Sequence, residues 1–155
     1  MRILESIDDV SPEAVGGVRV EARATPRILL AEDDDEMRLL LGEALEEAGY
    51  EVNETEDGAT ALASLRALAR HGIGMPDALV LDVRMPGTSG VDVLTELRAA
   101  GWQTPVILIS GFGDEALRAS ALRLGAAAML EKPFDFDELA MALSVVLGAP
   151  GAPPS

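Results

Sequence analysis

Lys132 is the only lysine in this chain; every other side-chain cation is an arginine or His71. It stands in Glu131-Lys132-Pro133, straight after the apolar run Ala126 to Leu130. Three other apolar runs also end in a group able to do chemistry. Ile28 to Ala31 leads into Glu32-Asp33-Asp34, Ala78 to Leu81 into Asp82, and Val106 to Ile109 into Ser110. Carboxylates crowded at the ends of buried strands repel one another unless a cation neutralises them. Hard oxygen donors with no His or Cys nearby suit Mg²⁺. An ionised Asp is already a nucleophile, and its attack on phosphorus to form an acyl phosphate needs no general base. The metal and the Lys132 ammonium would neutralise phosphoryl oxygens, and Ser110 would donate a hydrogen bond. The four groups together suit a divalent metal and a phosphoryl group.

Each group alone has a plainer reading. Glu32-Asp33-Asp34-Asp35 could be a solvated run at a helix N-terminus, where acids are favoured. A lone Asp after a strand is often a cap or turn residue. Joint placement carries the weight, because strand ends that carry function in a parallel α/β sheet lie along one edge.

The elements that must position these groups alternate strand and helix five times. After Ile28 to Ala31 comes a helix with Met37, Leu40, Leu41, Ala44, Leu45 and Ala48 on one face, stopped by Gly49. Tyr50 to Thr55 alternates as an edge strand would, and Asp57 can cap a second helix bearing Leu62, Leu65, Leu68 and Ala69. Ala78 to Leu81 is the third strand, followed by a helix capped near Ser89. Val106 to Ile109 is the fourth strand, with a helix from about Asp114 to Leu124. The fifth strand precedes a last helix over about Asp135 to Leu147, with Phe136, Leu139, Ala140, Leu143 and Leu147 on its core face and Met141 and Val145 opposite. Crossovers of this length predict an α/β fold with a parallel sheet covered on both faces.

The length, 155 residues, fits one domain, and 48% hydrophobic residues support a globular chain. A net charge of −15 opposes unaided nucleic-acid binding. With no cysteine, disulfides and thiolate metal sites are excluded. No apolar run approaches the roughly 20 residues of a membrane span, and the opening Met1-Arg2-Ile3-Leu4-Glu5 reaches an acid too soon for a signal peptide. A cytoplasmic location is the expectation. Residues 1–25 read as a flexible extension, with an added strand over Val18 to Ala24 as the alternative; 26–148 form the domain and 149–155 a disordered tail.

Four segments resemble the two-component response-regulator receiver domain. They are Arg27-Ile28-Leu29-Leu30-Ala31-Glu32-Asp33-Asp34, Leu79-Val80-Leu81-Asp82-Val83-Arg84-Met85-Pro86-Gly87, Val106-Ile107-Leu108-Ile109-Ser110-Gly111 and Glu131-Lys132-Pro133-Phe134. The resemblance implies a flavodoxin-like, doubly wound five-stranded sheet in the order 2-1-3-4-5. It implies that Asp82 accepts a phosphoryl group from a sensor histidine kinase or phosphotransfer protein. Mg²⁺ would be held by Glu32, Asp33, Asp82 and the backbone carbonyl of Arg84. Ser110 takes the switch-hydroxyl position and Lys132 the family's lysine, with Pro133 after a cis peptide. The implied product is a signalling phosphoacceptor rather than an enzyme, acting as a stand-alone receiver through a protein-interaction surface. A downstream target protein and a second copy of the chain are its candidate partners.

One departure stands out: Met129 occupies the position where the family usually places Tyr or Phe, so the usual aromatic coupling is in doubt. The resemblance also implies that the side chains two after the acceptor and two after the switch hydroxyl, here Arg84 and Phe112, flank the path of hydrolytic water, and a bulky Phe112 predicts a shielded, longer-lived acyl phosphate. The competing readings are weaker. An aspartyl phosphatase would want an acid where Arg84 stands, and a dinucleotide fingerprint is missing after the first strand. A docking module independent of phosphorylation commonly loses the acidic pair or the lysine, and this chain keeps both. His71 reads as a loop residue and Trp102 as a lid on the core.

Overall fold

The computed structural model describes residues 25–148. The strand considered over 18–24 and the tail over 149–155 lie outside the described residues, as does all but Thr25 of the expected extension. Five strands, β1 (Arg27–Ala31), β2 (Glu51–Thr55), β3 (Ala78–Asp82), β4 (Val106–Ser110) and β5 (Ala128–Glu131), form one sheet in the order β2-β1-β3-β4-β5. Every pairing is parallel. Five helices follow the strands in turn: α1 (Asp35–Glu47), α2 (Gly58–Arg70), α3 (Gly90–Ala99), α4 (Glu115–Arg123) and α5 (Phe136–Leu147).

Side chains alternate across a strand with a period of two, so a strand covered on both faces must be apolar throughout. β3 and β4 are buried at every position. Leu29, Leu79, Leu81 and Leu108 enter one core cluster with α2 and α3, while Ile28, Leu30, Val80 and Ile107 enter the other with α1 and α5. The helix starts follow local chemistry. Asp34 accepts from the Met37 amide, Asp57 from the Thr60 amide, and Ser89 and Asp92 bond reciprocally at the start of α3.

Two apolar faces are narrower than the periodicity predicts. On α1, Leu41 and Leu45 are buried, but Leu40 is 43% exposed and Ala48 is exposed too. On α5, Leu139 and Leu143 are buried, whereas Phe136 is 42% exposed. Both helices lean on the same sheet face at its rim, so each buries only the stripe nearest the strands. Leu40 and Phe136 instead face a shared groove lined by Met37, Lys132, Pro133 and Phe134.

Candidate phosphoacceptor site

Register decides which side chains meet. Ala31 is level with Leu81, Asp82 with Ile109, and Ser110 with Glu131. Glu32, Asp82, Ser110 and Lys132 therefore emerge at the same edge. The Lys132 ammonium lies 3.0 Å from Asp82 Oδ2 and 3.5 Å from Glu32 Oε1. Asp82 Oδ1 accepts from the Arg84 amide at 2.9 Å, so both oxygens of the predicted acceptor are held. Carboxylate oxygens of Glu32, Asp33 and Asp82 lie within 4.8 Å of one another, with Asp33 exposed and the other two buried. Glu32 Oε2 accepts from the Asp34 amide at 3.1 Å, and Arg38 donates to the Glu32 carbonyl at 2.8 Å. The Lys132–Pro133 peptide is cis.

The electrostatics are those of an acid cluster with too little positive charge. Burial, and then the adjoining Asp82 carboxylate, push the Glu32 carboxyl up to about 8, against the pull of the Asp34 amide and Lys132. Burial works against the charge on Lys132, but its hydrogen bond to Asp82 and the fields of Asp82 and Glu32 outweigh it. The ammonium pKa is raised. Glu32 Oε1 is buried without a hydrogen-bond partner. A buried carboxyl oxygen met only by the 3.5 Å approach of the Lys132 ammonium, among three clustered acids with no His or Cys in the group, fits a hard divalent cation such as Mg²⁺.

Three expected residues sit differently from the simplest picture. Ser110 is fully buried, but its hydroxyl donates to the Leu130 carbonyl at 3.5 Å and accepts from Arg118 at 3.3 Å rather than meeting Asp82. Met129 packs partly buried against the α2–α3 side of the core. Phe112 is 98% exposed. The ring points into solvent and does not cover the acceptor, so the predicted shielding has no basis in this conformation. Trp102 is buried as a lid on the core, and His71 ends α2.

Sequence reasoning missed three contributors. The sequence marks Asp114 only as the start of α4, yet its buried carboxylate pairs with Arg84 and accepts from the Gly111 amide. Arg118, one turn on, reaches Ser110 and lies 3.8 Å from Glu131. Gly90 opens α3 against the backbone of Asp82: a Cβ there would lie 2.5 Å from the Asp82 carbonyl oxygen. A glycine directly after the Ser89 cap was the one local signal for such a close approach.

The fold and this edge agree with what the chain is similar to. A family model for the response regulator receiver domain matches residues 28–144. The transcriptional regulatory protein CpxR of Klebsiella pneumoniae is 41% identical over 121 residues, covering 78% of this chain and 49% of that protein. FixJ of Azorhizobium caulinodans, another transcriptional regulatory protein, is 40% identical over 117 residues, covering 76% of this chain and 53% of its own length. The structure of the Vibrio cholerae chemotaxis protein CheY4 superposes with a TM-score of 0.68 at 26% identity, covering 79% of this chain and 99% of that one. The chain thus spans about half the length of these two curated relatives. Among the described residues no helix is long and apolar enough to cross a membrane. With a family match across most of its length, the chain belongs to the response regulator receiver domains of two-component systems.

Proposed function

We propose that the chain works as a phosphorylation switch in which Asp82 accepts a phosphoryl group from a phosphohistidine on a sensor kinase or phosphotransfer protein. The observation that carries this reading is the meeting of Glu32, Asp33, Asp82 and Lys132 at one strand edge. An Asp82 carboxylate oxygen attacks phosphorus, the P–N bond to the donor histidine breaks, and the imidazole leaves as the neutral or protonated ring. Glu32, Asp33, Asp82 and the Arg84 carbonyl would hold Mg²⁺. When bound, the metal supplies positive charge against the acid cluster and the phosphoryl oxygens. Lys132, now spread over two carboxylates, pairs with the new phosphoryl group. Ser110 turns from Leu130 and Arg118 to donate to it, and that turn is the switching step.

The output is a change in protein contact on the face made by α4, β5 and α5. The exposed apolar pair Met141 and Val145, 66% and 78% accessible, supports this placement. A target protein, or a second copy of the chain, is the partner we assign to it. The acidity of the chain, −15 overall, argues against direct nucleic-acid contact by this unit.

The test is incubation with Mg²⁺ and a small acyl-phosphate donor, followed by intact mass. One phosphoryl group per chain is expected on the wild type and none on Asp82→Asn. Labelling of Asp82→Asn at the wild-type level would overturn the assignment.

A further inference from the structure

We infer that Asp114 is a positioning residue that holds the Arg84 guanidinium away from Asp82 and so keeps the acidic pocket open to a divalent cation. The inference deepens the function proposed above and rests on it for the identity of the cation. Arg84 begins beside the acids, since its own amide donates to Asp82 Oδ1 at 2.9 Å. A guanidinium is a planar fork of donors matched to carboxylates. Left unpaired two residues after Asp82, it would settle on the nearest acids and take up the negative charge a metal needs. It does not. Its Nε lies 2.5 Å from Asp114 Oδ1, and among the described residues this is its only ion pair.

The two partners are unequal in a telling way. The Arg84 side chain is 66% exposed, whereas that of Asp114 is 0% exposed. A pair that merely decorated the surface would be solvated on both sides. Here the cost of desolvation falls wholly on the carboxylate, and something besides Arg84 must offset it. The Gly111 amide donates to Asp114 Oδ2 at 2.7 Å, so the second oxygen is held by the backbone of the turn after Ser110. Asp114 is thus a fixed anchor built on the β4–α4 loop. The arginine, which could move, is the group being anchored.

The experiment is calorimetric Mg²⁺ binding to the full chain in four forms: wild type, Asp114→Asn, Arg84→Gln and the double variant. Salt at about 0.15 M screens exposed charges beyond roughly 8 Å, so the readout reports local contacts. Freed from its anchor, the guanidinium should weaken Mg²⁺ binding in Asp114→Asn by about tenfold, the effect of one unit charge brought close in a partly solvated site. Arg84→Gln removes the guanidinium but keeps the backbone carbonyl that would serve the metal, so it should bind Mg²⁺ at least as tightly as wild type. The double variant should recover to within roughly threefold of wild type, a change well under one decade of binding. Unchanged binding in Asp114→Asn overturns the inference. So does a double variant as weak as Asp114→Asn, which would mean that Asp114 acts by shaping the loop and not by restraining a competitor. Should Asp114→Asn fail to fold by circular dichroism, Arg84→Gln decides alone, and a loss beyond roughly threefold would show that the guanidinium helps to hold the cation. Failure of the wild type to bind Mg²⁺ or to be phosphorylated at Asp82 strikes the functional reading instead, so the two failures are distinct.

Discussion

The centre of the sheet with α2 and α3 and the flank made of α4, β5 and α5 are built to different densities. β3 and β4 are buried at every position, and α2 and α3 bury Ala61, Leu62, Leu65, Val91, Val93, Leu94 and Leu97 among others. On the flank, α4 buries only Ala121, α5 only Leu139 and Leu143, and no residue of β5 is fully covered. Among the described residues, five of the eight exposed large hydrophobics (Phe112, Leu122, Phe136, Met141 and Val145) belong to the flank and the loops leading into it. Charges whose spacing sets chemistry need a rigid frame, and Asp82 stands on one of the two fully buried strands. A surface that must change shape needs few buried contacts to break, because sparsely packed regions open at low cost.

The largest expected effect tests that contrast directly. Leu81→Ala, in the fully buried β3, should cost about 3 kcal/mol, the usual size for emptying a tight core position. Leu122→Ala, at 67% exposure on α4, should change stability by less than about 0.5 kcal/mol. Urea denaturation of both variants measures the difference. Equal losses would mean that the flank is as tightly built as the centre, and the division would fall.

The second prediction concerns the charge frame itself. The Glu32 carboxyl is pushed from 4.5 to about 8 in the folded protein by burial and then by Asp82. The folded state therefore holds this proton more tightly than the unfolded chain, and stability from this group is full below about 4.5. It is lost progressively as pH rises toward about 8. Lys132 does not blur the trend: its pKa is raised above 10.5, so its contribution stays complete throughout that window. In chelator, the melting temperature should fall between pH 5 and 8 and then level. Glu32→Gln should flatten that slope, and a slope that survives the substitution would sink the assignment to Glu32.

Much of this frame was legible in the sequence because it is written in local patterns. Four apolar runs, each ending in a polar group, gave the strands and the edge where Glu32, Asp82 and Lys132 meet and Ser110 emerges beside them. Asp34, Asp57 and Ser89 cap the helices that their types predict. What stayed hidden depends on contacts between distant segments. The Arg84–Asp114 pair spans 30 positions, and no local pattern distinguishes a buried N-terminal Asp from the many exposed ones. The exposure of Leu40 and Phe136 was hidden for a related reason: periodicity reports that a helix has an apolar face, not how much of it the sheet edge can cover.

A third prediction sharpens the contrast on the flank. Met141→Glu with Val145→Glu places two charges where the side chains are already largely solvated. Stability should change by less than about 0.5 kcal/mol and phosphorylation of Asp82 should proceed as in the wild type. Phosphorylation-dependent self-association, read by light scattering with and without the acyl-phosphate donor, should be lost. Persistence of that association at wild-type strength would place the contact on another face.

The smallest effect is expected at Phe112, and it reverses what side-chain bulk alone predicts. A large apolar group two residues after Ser110 would obstruct attacking water if it lay over Asp82, and on that view Phe112→Glu would speed decay of the acyl phosphate. The ring is 98% exposed, however, so it cannot fill the space over Asp82. The group of that loop that is buried is the Asp114 carboxylate, which accepts from the Gly111 amide and pairs with Arg84. Decay of the phosphorylated protein should therefore change by less than about twofold in Phe112→Glu, within the range of a surface substitution away from packed features. A several-fold acceleration would mean that phosphorylation draws the ring inward. The loosely packed flank would then extend to the edge of the acceptor site, and the boundary between the two regions would lie at β4 itself.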